Sequence, residues 1–349
     1  MVAFDSRELT SLIELSARLG RQPLLVQAST GNTSVKIGNT LWIKASGKWM
    51  ANAAKEDMFV PVSFTRKDQY VPDSCVPLTS SSNSRVKPSI ETAMHLTLPH
   101  RVVIHVHSVN TIAWAVQSAG RACLRRLLDG LRWCWIDYTP SGIPLARQIG
   151  ASLPLSPDIF VLANHGLVIG AESCEEAEAR LRDVEDRLAI VPRATPDPDL
   201  AELERLCAVS EFRLPEANEV HSLATDVFSS AIVSQGILYP CQAMFLGRYT
   251  CVLSKRDSIL RLIRQYHAQN GVRPPALLIP GKGVLVASDL TPTESQILSG
   301  LSRVVQRLRP KTSIAYLDGR EVDELLSSGT YAEARRMPKP AANCASASG

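Results

Sequence analysis

Three features that would indicate a membrane, secreted or nucleic-acid-binding protein are missing from this sequence. No stretch approaches the roughly 20 consecutive apolar residues that a membrane-spanning helix requires. Charged side chains occur within the first eight residues, whereas a secretory signal needs an uninterrupted apolar run. The basic residues, which produce a formal net charge of +4, are scattered and form no long run. We therefore expect a cytoplasmic protein whose partners include neither membranes nor nucleic acids.

Paired cysteines are also missing. The eight cysteines are spread along the chain without a CxxC pair, and several lie in apolar runs such as residues 131–136. This distribution predicts reduced thiols in the protein core.

The chain is long enough for two modest hydrophobic cores. Its clearest break is VPRATPDPDL, residues 191–200, where three prolines interrupt a helical pattern. We predict an α/β domain over residues 1–190 and a smaller α/β domain over residues 201–335. The small, polar residues 336–349 are expected to form a disordered tail.

Hydrophobic periodicity predicts the elements of both domains. In the first, helices are expected at 5–20, from Ser89, after Ser108 and at 174–188, and strands at 33–37, 41–44, 101–107, 159–163 and 167–169. In the second, helices are expected at 216–233, 257–267 and 292–308, and strands at 243–246, 250–253, 276–279 and 284–287. Residues 162–170 and 278–286 share one rhythm of strand, glycine turn and strand.

A histidine pair dominates the chemistry of the first domain. In the segment RVVIHVHS a strand would place His105 and His107 on one face, because side chains alternate along a strand. Catalytic zinc commonly takes three protein ligands and keeps a fourth position open. His165, in the Asn-His-Gly turn after the strand at 159–163, is the expected third ligand.

Each of these residues also has an interpretation that involves neither a metal nor catalysis. A His-x-His strand can carry two unrelated side chains, and a turn histidine can simply hydrogen-bond its own loop. We interpret His95 and His100 as packing or surface residues and assign no function to His221 or His267. Glu91 follows a candidate N-cap, Ser89, and could be an ordinary first-turn glutamate. Beside a metal, the same carboxylate could act as a general acid and base.

Four ordered blocks resemble the class II aldolase and adducin head family, whose best-known enzymes are the L-fuculose and L-rhamnulose phosphate aldolases. The blocks are STGNTSVK (29–36), IKASGKW (43–49), PSIETAMHLTLPHRVVIHVHS (88–108) and LANHGLVIG (162–170). The resemblance implies a three-layer α/β/α domain with a central, mainly antiparallel sheet, followed here by a smaller C-terminal α/β segment. It also implies a homo-oligomer, expected to be a tetramer.

The resemblance assigns roles to individual residues. His105, His107 and His165 correspond to the ligands of one Zn²⁺ per chain, or of another divalent metal, and Glu91 corresponds to the catalytic carboxylate. The substrate phosphate would bind at glycine-rich turns whose N–H and hydroxyl groups are donors. The residues at those positions are Asn32, Ser46, Gly47 and Ser89. Lys44 and Lys48 flank this region and could add positive charge.

The implied reaction is cleavage of a ketose 1-phosphate into dihydroxyacetone phosphate and a small aldehyde through a metal-stabilised enediolate. A decarboxylase or dehydratase of a sugar-acid or sugar phosphate on the same fold is an alternative. A non-catalytic, adducin-like interaction domain is another, although an interaction domain has no need of an open zinc site.

The sequence departs from the aldolase pattern in two places. The family typically has two serines before the glutamate, whereas this chain has Ser89-Ile90-Glu91, so one hydroxyl donor is missing. The fuculose phosphate enzymes use a tyrosine after the histidine strand, but residues 108–132 contain none. Tyr138 is the nearest tyrosine and is not assigned that role. In the C-terminal segment, Gly281-Lys282-Gly283 lacks the rest of a phosphate-binding P-loop and is interpreted as a tight turn.

Overall fold

A computed structural model describes residues 6–64, 87–253, 258–270 and 272–327. The predicted tail at 336–349 lies outside these residues. Within them, every helix is too short or too polar to span a bilayer. The six cysteines in these ranges are all free thiols.

A seven-stranded sheet organises the N-terminal half, with the strand order β3-β2-β1-β4-β7-β6-β5. All neighbouring strands are antiparallel except β5 and β6, which are parallel. The strands are β1 (Asn32–Ile37), β2 (Thr40–Lys44), β3 (Phe59–Ser63), β4 (Val102–Val106), β5 (Trp133–Ile136), β6 (Ile159–Leu162) and β7 (Gly166–Ala171).

Helices cover both faces of this sheet. On one face a large apolar cluster joins the sheet to α1 (Ser6–Gly20), α3 (Val109–Ala115), α4 (Gly120–Leu127) and α6 (Cys174–Leu188). On the other face a second cluster joins it to α2 (Thr92–Thr97) and α5 (Ile143–Ser152). Two 3₁₀ turns, Met50–Asn52 and Leu153–Leu155, complete this half. The expected three-layer α/β/α fold with a mainly antiparallel sheet is confirmed.

Side-chain alternation in β4 decides where the chemistry lies. Ile104 and Val106 point into the larger cluster, whereas Val103 points toward α2 and α5. His105 therefore shares the α2 face, and its partner across the sheet in β1 is Asn32. The start of α2 lies over this face, so a residue there can reach His105.

A smaller, four-stranded sheet with the order β8-β11-β10-β9 forms in the C-terminal half. Its strands are β8 (Phe212–Arg213), β9 (Cys251–Val252), β10 (Ala276–Ile279) and β11 (Gly283–Ala287). The surrounding helices are α7 (Leu200–Ala208), α8 (Ser222–Thr225), α9 (Val227–Gln235), α10 (Pro240–Leu246), α11 (Ile259–Asn270), α12 (Pro292–Arg307) and α13 (Gly319–Ser327), and a 3₁₀ turn covers Asn218–His221. One apolar cluster joins residues of α3 to this segment. The predicted domain limits, 1–190 and 201–335, stay a prediction.

Two predicted elements of the C-terminal half are wrong. The expected strand at 243–246 is the end of the helix α10, because Pro240 occupies the first turn of a helix and a four-residue apolar run cannot distinguish helix from strand. The expected helix at 216–233 is broken at Asp226, whose backbone is extended (φ −93°, ψ 116°). Its carboxylate accepts hydrogen bonds from the amides of Phe228 and Ser229 and so begins α9 anew.

The predicted helix start at Ser89 is also wrong. Ser89 is held beside β2, since its amide donates to the Lys44 carbonyl (3.2 Å) and its neighbour Pro88 forms a β-bridge with Ala45. The helix begins at Thr92, and Glu91 is its N-cap residue without a side-chain cap. Strands β3 and β5 and helices α4 and α5, each of ten residues or fewer, were not predicted.

Candidate metal centre and active site

Three buried histidines from two parts of the chain meet at one point. His105 lies in β4, His107 directly after it, and His165 in the turn between β6 and β7. Ring nitrogens of the three residues all lie within 4.8 Å of one another, and the ring centroids are 4.9–5.0 Å apart. Nε2 of His107 is 3.2 Å from Nε2 of His105. The register of β4 on β7 brings the turn beside the histidine strand.

Two of these imidazoles, His107 and His165, favour the neutral form, which has a lone pair for a metal. Burial lowers the pKa of His165 to about 4 and that of His107 well below its ordinary value. Neutral imidazole is the form that binds a metal. Nδ1 of His105 lies 3.1 Å from the Leu167 carbonyl, which can only accept, so Nδ1 carries the proton. Nε2 of His105 is then the nitrogen that faces Glu91 and His107.

The Glu91 carboxylate faces this cluster. Its Oε2 is 3.3 Å from Nε2 of His105, and its Oε1 is 3.6 Å from Nε2 of His165. Burial alone would raise the pKa of the Glu91 carboxyl, but His105, His165 and the Asn32 amide together hold that pKa well below its usual range. Glu91 is therefore an ionised carboxylate at neutral pH.

A chain of polar side chains fixes the orientation of that carboxylate. Asn32 Nδ2 donates to Glu91 Oε2 (2.8 Å), and Ser141 Oγ donates to Glu91 Oε1 (3.1 Å). Asn32 Oδ1 can only accept, so the neighbouring His95 Nε2 (2.5 Å) donates to it. Burial lowers the pKa of His95 to about 3, so the ring is neutral and its Nδ1 accepts from Ser34 Oγ (2.7 Å).

Ser141 and His95 are members of the site that the sequence reasoning missed. His95 is a buried packing partner, as expected, but it also orients the amide that holds Glu91. One signal was available: Asn32 and Ser34 alternate along β1 and both face α2. Ser141 lies in the loop between β5 and α5, where no periodic signal exists.

The residues predicted to bind phosphate lie at three places: Asn32 begins β1, Ser46 and Gly47 lie in the turn after β2, and Ser89 lies just before α2. Both amide protons of Asn32 are engaged, one by Glu91 and the other by Ser89 Oγ (3.0 Å). The Ser46 amide donates to the Lys87 carbonyl (3.0 Å), and Gly47 has a positive φ of 73°. The turn after β2 is thereby brought close to Ser89. The phosphate-binding role of these residues stays a prediction.

Lys44 connects the chain just before β1 to the turn after β2 from inside the protein. The residue is 2% exposed, and its Nζ donates to the carbonyls of Ser29 (3.1 Å), Lys48 (2.6 Å) and Ala45 (3.3 Å). Burial lowers the pKa of Lys44 to about 7, while the charge of Glu91 acts in the opposite direction. Its amino group is thus hydrogen-bonded to backbone carbonyls on the side that faces the protein interior.

The remaining histidines and Tyr138 lie in other surroundings. His100 is paired with Asp158 (3.0 Å), His221 accepts from the Val284 amide (3.1 Å), and His267 is exposed on α11. Tyr138 packs against an apolar cluster of α10 and α13. Its buried hydroxyl has no hydrogen-bond partner among the residues that the structure describes.

The C-terminal segment also reaches the histidine cluster. Cys241 Sγ, at the start of α10, lies 3.5 Å from Nδ1 of His107. Asn164 Nδ2 donates to the carbonyls of Leu238 (2.8 Å) and Ala315 (2.6 Å). Sequence reasoning could not find these contacts, because they join positions more than 70 residues apart.

Residues 10–191, just over half of the chain, match the family described as Class II Aldolase and Adducin N-terminal domain. The chain belongs to this family. The match covers all three clustered histidines and Glu91, and it ends at the proline-rich break. The predicted family resemblance is confirmed.

Individual relatives are distant. An L-fuculose phosphate aldolase of Methanococcus maripaludis is 24% identical over 187 residues, which cover 51% of this chain and 93% of that protein. An uncharacterised oxidoreductase, YuxG, of Bacillus subtilis is 25% identical over 185 residues, 47% of this chain, and the match spans only 26% of that protein's length. The N-terminal class II aldolase domain of a Thermoplasma acidophilum protein is a similar solved structure, with a TM-score of 0.45, 24% identity and coverage of 54% of this chain and 94% of that one.

Class II aldolases generally use a divalent metal, and the three histidines suit one. Two nitrogens that each lie about 2.0–2.1 Å from one tetrahedral zinc ion are roughly 3.3 Å apart. The 3.2 Å between the Nε2 atoms of His105 and His107 agrees with that separation. The three imidazoles therefore form a donor set that fits a metal with an open position, and the Glu91 carboxylate lies beside it.

Proposed function

We propose that this protein is a zinc-dependent aldolase that cleaves a ketose 1-phosphate, or a similar sugar phosphate, to dihydroxyacetone phosphate and a small aldehyde. His105, His107 and His165 would hold one Zn²⁺ per chain, and Glu91 would be the catalytic carboxylate. The observation that carries the proposal is the position of Glu91, an ionised carboxylate 3.3 Å and 3.6 Å from two of three clustered imidazoles.

A zinc ion at this position would supply Lewis-acid polarisation of the substrate carbonyl. Glu91 would transfer the proton of the carbon next to that carbonyl. In the direction of synthesis, one Glu91 oxygen removes this proton; in the direction of cleavage, Glu91 returns it to the same carbon. Asn32 and Ser141 hold the two oxygens in place, so the carboxylate keeps one orientation through the reaction.

The substrate phosphate would bind at Asn32, Ser46, Gly47 and Ser89. Asn32 and Ser89 are hydrogen-bonded to Glu91, and Lys44 ties the chain before β1 to the turn after β2 from the protein interior. Because the Asn32 side-chain donors already serve Glu91 and Ser89, the contribution of Asn32 to phosphate would come through its backbone or through Ser89. We further propose a cytoplasmic homo-oligomer, expected to be a tetramer, that acts on small phosphorylated molecules and not on nucleic acid.

The test combines elemental analysis of the purified protein with triose phosphate release from a panel of ketose 1-phosphates. Wild-type protein should contain about one zinc per chain, and His105→Ala should lose it. Glu91→Gln should retain zinc but lose roughly 10²- to 10⁴-fold in release rate, the range for a general acid or base. Asp158→Asn is the matched control, a buried carboxylate paired with His100, and it should retain both zinc and release.

Several outcomes would contradict the proposal. An unchanged release rate in Glu91→Gln, or after the metal is stripped, would exclude the mechanism. Stoichiometric zinc without triose phosphate release would point instead to a decarboxylase or dehydratase of a sugar-acid or sugar phosphate. Protein without any bound metal would point to an adducin-like interaction domain.

A further inference from the structure

We infer that the C-terminal segment is part of the metal centre: Cys241 orients His107 for coordination, and Asn164 ties the His165 turn to the same segment. Both are positioning residues, since they contact the histidines or their turn and not the substrate. The inference rests on the proposed function only in requiring that a metal binds at the three histidines.

The position of the proton on His107 decides which of its ring nitrogens can bind a metal. A neutral imidazole carries one N–H, and the nitrogen that binds a metal must be the other one. Nε2 of His107 faces Nε2 of His105 at 3.2 Å, so Nε2 is the coordinating atom. The proton must then lie on Nδ1, which faces Cys241 Sγ at 3.5 Å. The thiol sulfur accepts this N–H, just as the Leu167 carbonyl accepts from His105.

The position of Cys241 is well determined. Cys241 is 7% exposed and lies in the first turn of α10, directly after Pro240. Gln242 Oε1 accepts from the Leu238 amide (2.8 Å), and Ile237 forms a β-bridge with Leu317. The chain before α10 is thus fixed on both sides, so the sulfur is presented to His107 by a rigid element.

Asn164 makes an independent contact with the same stretch of chain. Its φ of 51° places it in the left-handed region, at the bend that presents His165. Its amide donates to the carbonyls of Leu238 and Ala315, which lie one and two residues from the bridged pair Ile237 and Leu317. Cys241 and Asn164 therefore link two of the three histidines to residues 237–241. All of these C-terminal residues lie beyond the family match, which ends at residue 191.

The test is the zinc affinity of the full-length protein, measured by competition with a chromophoric chelator. Loss of an outer hydrogen-bond partner typically weakens metal binding by about 10- to 100-fold, and we expect this loss for Cys241→Ala. Cys241→Ser retains an acceptor and should keep most of the affinity. Cys251→Ala is the matched control, because Cys251 is a buried thiol of the same segment on β9, and its affinity should be unchanged.

Two further measurements separate positioning from other roles. Asn164→Gly keeps the left-handed bend but removes both side-chain donors, and it should weaken zinc binding by a similar factor. The Co²⁺-substituted protein should show no thiolate-to-cobalt charge-transfer band, since the sulfur lies behind His107 and does not face the metal. Melting temperatures of the zinc-free variants report on stability alone, and equal losses in Cys241→Ala and Cys251→Ala would leave affinity as the distinguishing result.

Wild-type affinity in both Cys241→Ala and Asn164→Gly would overturn the inference, as would a charge-transfer band that disappears in Cys241→Ser. If Cys241→Ala does not fold, wild-type affinity in Asn164→Gly is sufficient to overturn it. Failure of the proposed function is distinguishable, because the wild-type protein would then bind no zinc, or would bind it without releasing triose phosphate.

Discussion

Two hairpins with the same sequence rhythm have different surroundings in this molecule. The first joins β6 to β7 through the turn Ala163-Asn164-His165, and the second joins β10 to β11 through the turn Pro280-Gly281-Lys282. In the first, His165 is buried against two other histidines. In the second, Lys282 is exposed and forms an ion pair with Asp199 (2.6 Å).

The difference lies in the neighbouring strand. β7 pairs with β4, which presents His105 on its α2 face and His107 just past its end. β11 pairs with β8, a two-residue strand of Phe212 and Arg213. A strand–turn–strand motif therefore becomes part of a site only where the adjacent strand contributes ligands, and the motif alone has no chemical meaning.

The largest expected effect distinguishes the two buried histidines near these turns. His165→Ala should weaken metal binding by more than about 100-fold, because removal of an outer-shell partner alone costs 10- to 100-fold. His221→Ala removes the acceptor of the buried Val284 amide and should cost about 1–3 kcal/mol of stability without loss of metal. Elemental analysis and denaturant unfolding measure the two quantities. Metal retained at the wild-type level in His165→Ala would show that His165 is not a metal ligand.

A smaller effect concerns one glycine in each turn region. A Cβ added at Gly166 would lie 2.5 Å from the Val106 carbonyl oxygen, and that backbone cannot move without shifting His107. Gly166→Ala should therefore cost about 1–3 kcal/mol and also weaken metal binding. At Gly281 a Cβ meets nothing within 4 Å, so Gly281→Ala costs only the left-handed conformation at φ +73°, about 1 kcal/mol. Equal losses of stability, with unchanged metal affinity in both variants, would contradict this prediction.

The buried Lys44 should make the stability of the protein depend on pH. Its folded-state pKa of about 7 lies below the ordinary 10.5, so between these values the unfolded chain binds a proton that the folded chain lacks. Its contribution to stability therefore rises with pH through this window, by up to about 1.4 kcal/mol per pH unit. Lys44→Met should lower the slope of unfolding free energy against pH by about 1 kcal/mol per pH unit between roughly pH 7.5 and 8.5. An unchanged slope would mean that the Lys44 ammonium keeps its proton in the folded protein.

The smallest expected effect is at the second turn. Lys282 is an exposed lysine whose ion pair with Asp199 is open to solvent. Lys282→Met should change neither metal content nor stability measurably at any pH, since exposed ion pairs contribute little. This variant is also the matched control for Lys44→Met. A clear loss of stability would show that Lys282 stabilises the fold, contrary to this prediction.

Much of the N-terminal half was predictable from local patterns. The alternation in RVVIHVHS predicted the shared face of His105 and His107, and the Asn-His-Gly turn after an apolar strand predicted the position of His165. The C-terminal half was less predictable. The residues AMFL belong to a helix and the 216–233 segment is interrupted, because Pro240 and the capping carboxylate of Asp226 outweigh the apolar pattern.

The sequence by itself determined the residue types of the site, the strand alternation that pairs two histidines, and the proline-rich break after residue 190. Only the tertiary structure decided that β4 lies between β1 and β7, which brings Asn32 and the His165 turn to opposite sides of His105. It also decided that Ser141 and Cys241 reach the same site from distant segments. Strand order and loop contacts depend on packing between residues far apart in the chain, and such packing leaves no periodic signal in a single sequence.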